Sequence, residues 1–128
     1  MNQPEISVVI VSDYAGGGEK SWNDLRSTLT ALAQQEGKVN AEWLLCENTA
    51  SARSMPDDIR GMLPNLKLVL SDEGGSYELK NAGFRAATAD IVAMLDADCV
   101  PARDWLKNAV AAMKAMPKVD VISGRTVY

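Results

Sequence analysis

The chain has 128 residues, of which 47% are hydrophobic and 23% are charged, and its formal net charge is -4. This length fits one domain, and this composition is that of a soluble chain able to build a folded core. The acidic balance and the absence of a Lys/Arg cluster argue against nucleic acid as a partner. The chain has no histidine, which excludes Ser-His-Asp and Cys-His catalysis and His-containing zinc sites.

Cysteine usage and the first residues bear on the compartment. Cys46 and Cys99 are the two cysteines, and neither belongs to a Cys-x-x-Cys pair, which is typical of reduced, buried thiols. Residues 1–5 carry no basic start and no long apolar run, so they predict no export signal. No apolar run approaches the ~20 residues that span a bilayer. The sequence therefore predicts a cytoplasmic protein without a membrane segment.

The first half of the chain alternates between strand and helix patterns. Residues 6–11 are short, apolar and β-branched, as expected of a strand buried on both faces. After a glycine-rich loop at 12–18, residues 21–37 place apolar side chains at helical spacing between an N-capping serine and a glycine stop. Residues 43–46 predict a second strand, and residues 56–63 predict a short helix that begins near a proline.

The second half continues the alternation of apolar strand-like runs with helix-like runs. Its elements are, in chain order, a strand at 66–70, a helix at 77–89, a strand at 91–95, a helix at 102–116 and a strand that begins at 119–122. In the Ala-rich helix, Gly83 is expected to allow close packing on the sheet. The pattern predicts one α/β domain over residues 1–128, an open and mostly parallel sheet with helices on both faces.

Polar, mostly acidic residues follow the predicted strands, and ligands of open α/β sheets bind at the carboxyl ends of strands. Asp96 and Asp98 come directly after the fourth strand, and residues two apart in extended backbone point to the same side. Paired carboxylates suit Mg²⁺ or Mn²⁺, whose other positions can take water and diphosphate oxygens. The alternative interpretation is that both aspartates only cap the loop and the start of the next helix.

Four segments carry a family resemblance: Ile6-Ser7-Val8-Val9-Ile10, the strand end Glu47-Asn48, residues 80–87 from Lys80 to Ala87, and residues 91–98 from Ile91 to Asp98. Pro101 and Trp105-Leu106 follow in the same order. Together they resemble family-two glycosyltransferases of the GT-A fold, a Rossmann-like architecture. The resemblance covers nearly the whole chain and is most specific over residues 80–106.

The resemblance implies an inverting transfer of a sugar from a nucleotide-sugar donor of the UDP or GDP type. It further implies that Mn²⁺ or Mg²⁺ bridges the donor's diphosphate. Carried over by position, Asp98 would be the principal metal ligand, and Asp96 would approach both the ribose and the metal.

The same resemblance assigns substrate-binding roles to four other residues. Ser12 lies where the family's first-strand loop contacts the nucleoside, and Glu47 and Asn48 take the place of its nucleobase-contacting pair. Glu47 stands where Asp is more usual in the family. Lys80 matches a basic residue near the nucleotide.

Members of the family continue well beyond the position of Tyr128 with an acceptor-binding half that supplies the general base. The resemblance thus implies that residues 1–128 are the donor-binding half, with a glycan, lipid or protein acceptor left unidentified. One alternative is a non-catalytic module of the same fold that binds a nucleotide-sugar or serves assembly. Another is a haloacid-dehalogenase-like phosphatase, because residues 96–100 match its Asp-x-Asp-x-Val start, in which the first Asp is the nucleophile.

Overall fold

The computed structural model of the chain describes residues 3–12, 18–72 and 75–128. Strands and helices alternate through these ranges. The strands are β1 (Ile6–Ser12), β2 (Ala41–Asn48), β3 (Lys67–Ser71) and β4 (Val92–Asp96). The helices are α1 (Gly18–Ala33), α2 (Thr49–Ala52), α3 (Ser76–Ala86) and α4 (Trp105–Ala115), with a 3-10 helix at Asp57–Gly61 between α2 and β3.

The described strands form one parallel sheet in the order β3-β2-β1-β4. β1 therefore has a hydrogen-bonded neighbour on each side. Its sequence accounts for this central position, because all seven residues of this mainly apolar, β-branched segment are buried. The predicted open α/β fold with a parallel sheet is confirmed.

Alternate residues of β1 contribute to two separate cores, one on each face of the sheet. Ile6, Val8 and Ile10 pack with leucines of α1 and α4. Val9 and Val11 point to the opposite face and pack in a second cluster that includes a leucine of α3. Side chains alternate in this way because a strand has a period of two residues. Helices cover both faces of the sheet, as predicted.

The second core depends on a close approach of α3 to the sheet at Gly83. A Cβ atom built at Gly83 would overlap Val9 Cγ1 and lie 2.6 Å from Cys46 Sγ. No real Cβ atom tolerates that spacing, so the helix can lie at this height only with glycine at this position. The predicted packing role of Gly83 is confirmed.

A buried carboxylate joins the amino ends of three strands. Glu42, the second residue of β2, accepts hydrogen bonds from Ser7 Oγ of β1 at 2.8 Å and from Lys67 Nζ of β3 at 2.8 Å. It also accepts from the backbone N–H of Thr88 at 2.9 Å. Burial raises the pKa of Glu42, but the hydrogen bonds from Lys67, Thr88 and Ser7 outweigh it and lower the pKa from 4.5 to about 2. The carboxylate is therefore held ionised at the edge of the sheet opposite the strand ends that carry the predicted site.

Some local predictions differ from the structure. Residues 119–122 were expected to begin a strand, but they carry no strand assignment, and Val121 is 82% exposed. Alternating apolar residues form a strand only beside a hydrogen-bonding neighbour, and none of the described strands pairs with this segment. α4 begins at Trp105 rather than at residue 102, and α3 ends at Ala86 rather than at residue 89.

The glycine-rich loop predicted after β1 falls mainly on residues 13–17, which lie outside the described ranges. α1 begins at Gly18 and ends at Ala33, four residues before Gly37, whose φ of +83° is the left-handed conformation that favours glycine. None of the helices in the described ranges has both the length and the apolar character that crossing a bilayer requires.

Substitution of Gly83 by alanine is expected to lower the free energy of unfolding by about 3 kcal/mol, because the added methyl overpacks the second core. Chemical denaturation measures this loss. Gly61→Ala is the matched control, since a Cβ at Gly61 would meet no heavy atom within 4 Å. Equal stability of the two variants would show that α3 does not lie as close to the sheet as described.

Because of Glu42, we expect the free energy of unfolding to fall as the pH is lowered. Its folded-state pKa is depressed, so its contribution is complete above pH 4.5 and is lost as the pH falls towards about 2. The contribution is about 3 kcal/mol, from the size of the shift. Denaturation of Glu42→Gln across this pH window should show a weaker acid dependence than the wild type. Glu36→Gln is the control, because the Glu36–Lys107 pair is exposed and contributes little; an unchanged slope for Glu42→Gln would contradict the interpretation.

Candidate functional site

The carboxyl ends of three strands meet at one edge of the sheet. The parallel register places Ser12 of β1 beside Glu47 of β2, and Val11 beside Asp96 of β4. The backbone N–H of Ala97 continues the ladder by donating to Val11 O at 2.9 Å. The structure thus brings Ser12, Glu47 and Asp96 to the same edge, which is where open parallel sheets bind their ligands.

Asp96 and Asp98 both expose their carboxylates at this edge. Asp96 is the last residue of β4, whereas Asp98 lies in a turn that is closed by a hydrogen bond from Cys99 N to Asp96 O at 3.1 Å. The expectation of extended backbone through Asp98 is therefore wrong. The turn rather than the strand pleat sets the direction of Asp98, and both carboxylates remain accessible to a ligand from solvent.

Lys80 supplies a positive charge beside this acidic strand end. It lies in α3, and its Nζ is 3.9 Å from Asp96 Oδ1 and 6.0 Å from the centre of the Tyr77 ring. The Lys80 side chain is 33% exposed and that of Asp96 is 57% exposed. An ion pair this long and this open is weak, so the ammonium group can turn towards an anionic ligand at little cost.

Glu47 and Asn48 have structural surroundings that the sequence did not reveal. Glu47 is 1% exposed, and its Oε1 accepts a hydrogen bond from Asn48 N at 3.1 Å. Asn48 caps α2, because its Oδ1 accepts from Ala50 N at 2.8 Å and from Ser51 N at 3.4 Å. A short helix thus begins where the sequence analysis placed only a strand end, and the side-chain oxygen of Asn48 is engaged in forming it.

The two cysteines lie near the site without the character of nucleophiles. Burial, followed by the charge of Glu47, raises the pKa of the Cys46 thiol to about 12. Burial and the carboxylates of Asp98 and Asp96 raise the pKa of Cys99. A thiol in such surroundings stays protonated at neutral pH and is a poor nucleophile.

An open polar pocket of about 330 Å³ lies between the end of β3 and α3. In the strand order β3 and β4 are at opposite sides of the sheet, so the pocket lies beyond Asn48 as seen from Asp96. Asn48 Nδ2 lies 3.5 Å from the Asp72 carbonyl oxygen at its rim. The pocket is lined by Ser71, Asp72, Glu78, Asn81, Ala82 and Arg85. Its walls offer both hydrogen-bond donors and acceptors, which suits a polar ligand better than an apolar one.

The residues at this edge fit a divalent cation that is shared with a ligand. Among the residues that the structure describes, no three Asp, Glu, Cys or His side chains are grouped to form a complete metal site. Mg²⁺ and Mn²⁺ seldom need a site made entirely of protein side chains. They commonly bind one or two carboxylates and complete their coordination shell with water and phosphate oxygens. Asp96 and Asp98 supply hard oxygen ligands of that kind.

Comparison with known proteins agrees with the resemblance found in the sequence. Residues 7–128 match the family model described as "Glycosyl transferase family 2". Over 129 aligned residues the chain is 34% identical to "Glycosyltransferase AglE" of Haloferax volcanii, a match that covers 98% of this chain and 40% of AglE. The fold is similar to that in the crystal structure of TarS from S. aureus, with a TM-score of 0.63, 20% sequence identity, and coverage of 97% of this chain and 23% of TarS.

Proposed function

The chain belongs to glycosyl transferase family 2, and on that premise we propose that it is the donor-binding domain of an inverting glycosyltransferase. Its donor is a nucleotide-sugar of the UDP or GDP type. The chain spans less than half the length of AglE, so the activity of the whole protein is part of this proposal. The acceptor is not identified, and the general base that activates it is not assigned to any residue of the chain.

The observation that carries the proposal is the arrangement at the carboxyl edge of the sheet. The exposed Asp96 ends β4, the exposed Asp98 lies in the turn that follows, and Lys80 Nζ lies 3.9 Å from Asp96 Oδ1. Mn²⁺ or Mg²⁺ held by the two aspartates would neutralise charge on the diphosphate leaving group. Asp98 is proposed as the principal ligand, and Asp96 as a residue that approaches both the ribose and the metal.

The other proposed contacts orient the nucleotide along the same edge. Ser12 ends the central strand and would contact the nucleoside, while Glu47 and Asn48 at the end of β2 would contact the nucleobase. Because Glu47 is buried and the Asn48 oxygen caps α2, we expect the Asn48 amide nitrogen and the nearby backbone to make the direct contacts, with Glu47 acting through its hydrogen bond from Asn48 N. Lys80 would turn from Asp96 towards the diphosphate once a cation occupies the carboxylates.

The phosphatase hypothesis loses its support, because the match to the glycosyltransferase family extends over residues 7–128 and includes the Asp-x-Asp-x-Val segment. The non-catalytic module differs from the proposed enzyme only in turnover. Nucleotide and metal binding without sugar transfer by the full-length protein would favour it.

Asp98→Asn is expected to weaken Mn²⁺-dependent UDP or GDP binding at least about tenfold, or ~1.4 kcal/mol, because an amide is a poor ligand for a hard cation. Calorimetry with each nucleotide, with and without Mn²⁺, measures the effect. Asp90→Asn is the matched control, since Asp90 is exposed and precedes β4 at the opposite edge of the sheet. Equal affinities of wild type and Asp98→Asn would count against a metal site at this residue.

A further inference from the structure

The Asp96–Cys99 turn is joined to α1 through a buried hydroxyl. Thr28 of α1 is fully buried, and its Oγ1 lies 2.6 Å from Cys99 O and 2.9 Å from Ala97 O. A third carbonyl, Asp24 O in the preceding turn of α1, lies 3.3 Å away. A hydroxyl carries one proton and so donates one hydrogen bond. The two nearer carbonyl oxygens, both in the turn, share that bond.

Those two carbonyls belong to the residues immediately before and after Asp98. The Ala97 amide is fixed as well, because it donates to Val11 O of the central strand at 2.9 Å. Ala97 is 1% exposed, so its carbonyl has little access to water and depends on a protein donor. The backbone on both sides of Asp98 is therefore held from beneath, while the Asp98 carboxylate itself is exposed to solvent.

A second polar side chain, just beyond the end of α1, fixes the segment that follows. Gln35 lies two residues after the end of α1 and donates from Nε2 to Ala102 O at 2.7 Å. Its Oε1 accepts from Leu106 N, in the first turn of α4, at 2.9 Å. α1 and the residues just beyond it thus contact the connection from β4 to α4 at several points, and Thr28 makes the contacts that lie next to Asp98.

From this geometry we propose that Thr28 is a positioning residue for the metal site: its buried hydroxyl fixes the turn so that Asp98 is aimed at the cation. The proposal rests on the metal-binding function assigned to Asp98. Thr28 does not touch the metal or the nucleotide. It acts through the backbone, in the way that hydrogen bonds behind a metal ligand orient that ligand.

The test compares variants that separate the hydroxyl from the rest of the side chain. Thr28→Val keeps the shape and removes the hydroxyl, whereas Thr28→Ser and Thr28→Ala differ from each other by one oxygen atom. Thr30→Val is the matched control, because Thr30 lies on the exposed face of the same helix. Mn²⁺ binding is measured by electron paramagnetic resonance and UDP or GDP binding by calorimetry, together with hydrogen exchange of the backbone amides of residues 97–99.

In Thr28→Val and Thr28→Ala, the Mn²⁺-dependent affinity for nucleotide should fall about tenfold or more. The backbone amide hydrogens of the turn should exchange faster in both variants. Nucleotide binding without metal should be unchanged in both. Thr28→Ser should stay close to wild type despite its lost methyl group, and Thr30→Val should equal wild type. A purely structural role would instead weaken Thr28→Ser along with Thr28→Ala.

Each remaining result decides against the proposal. Wild-type metal affinity in Thr28→Val or Thr28→Ala would overturn the role of Thr28 alone. Failure of both variants to fold would assign the hydroxyl to stability and overturn its role in aiming Asp98. Absence of Mn²⁺-dependent nucleotide binding in the wild type would overturn the proposed function, and this inference with it.

Discussion

Parallel pairing of β1 with β2 on one side and β4 on the other decides which strand ends meet at the candidate site. β1 can occupy the centre because its residues are buried on both faces, in the two cores that lie on either side of the sheet. Its register with β2 sets Ser12 against Glu47, and its register with β4 carries Asp96 to the same edge. Helix α3, seated closely through Gly83, then brings Lys80 to within 3.9 Å of Asp96.

The electrostatics of the site follow from that placement. Two exposed carboxylates and one neighbouring ammonium group give an edge that is acidic overall, and such an edge repels a diphosphate unless a cation lies between them. The proposed metal and nucleotide would bind such a surface as linked events, since each would improve the binding of the other. The weak Lys80–Asp96 pair is compatible with such linkage because its separation requires little free energy.

Local patterns were enough to predict the four paired strands, the three longer helices, the two-sided sheet and the packing role of Gly83, because each leaves a periodic or compositional signal. Contacts between residues that are distant in the sequence leave no such signal. Thr28 has the sequence context of an ordinary helix residue, although two of the three carbonyls near its hydroxyl lie 69 and 71 residues further along the chain. The expected strand at 119–122 failed for the converse reason, since its local pattern is strand-like but no described strand pairs with it. The turn at Asp98 likewise depends on a backbone hydrogen bond that spacing alone does not reveal.

The Glu42 network has a consequence for how such a domain can diverge. It fastens β1, β2 and β3 together at their amino ends, a full strand length from the carboxyl edge where donors are proposed to bind. Anchoring and the proposed ligand recognition would therefore lie at opposite termini of the same strands. Residues at the carboxyl edge could be substituted to suit a different base or sugar without breaking the Glu42 hydrogen bonds. Selection could thus alter donor specificity while the fold is preserved.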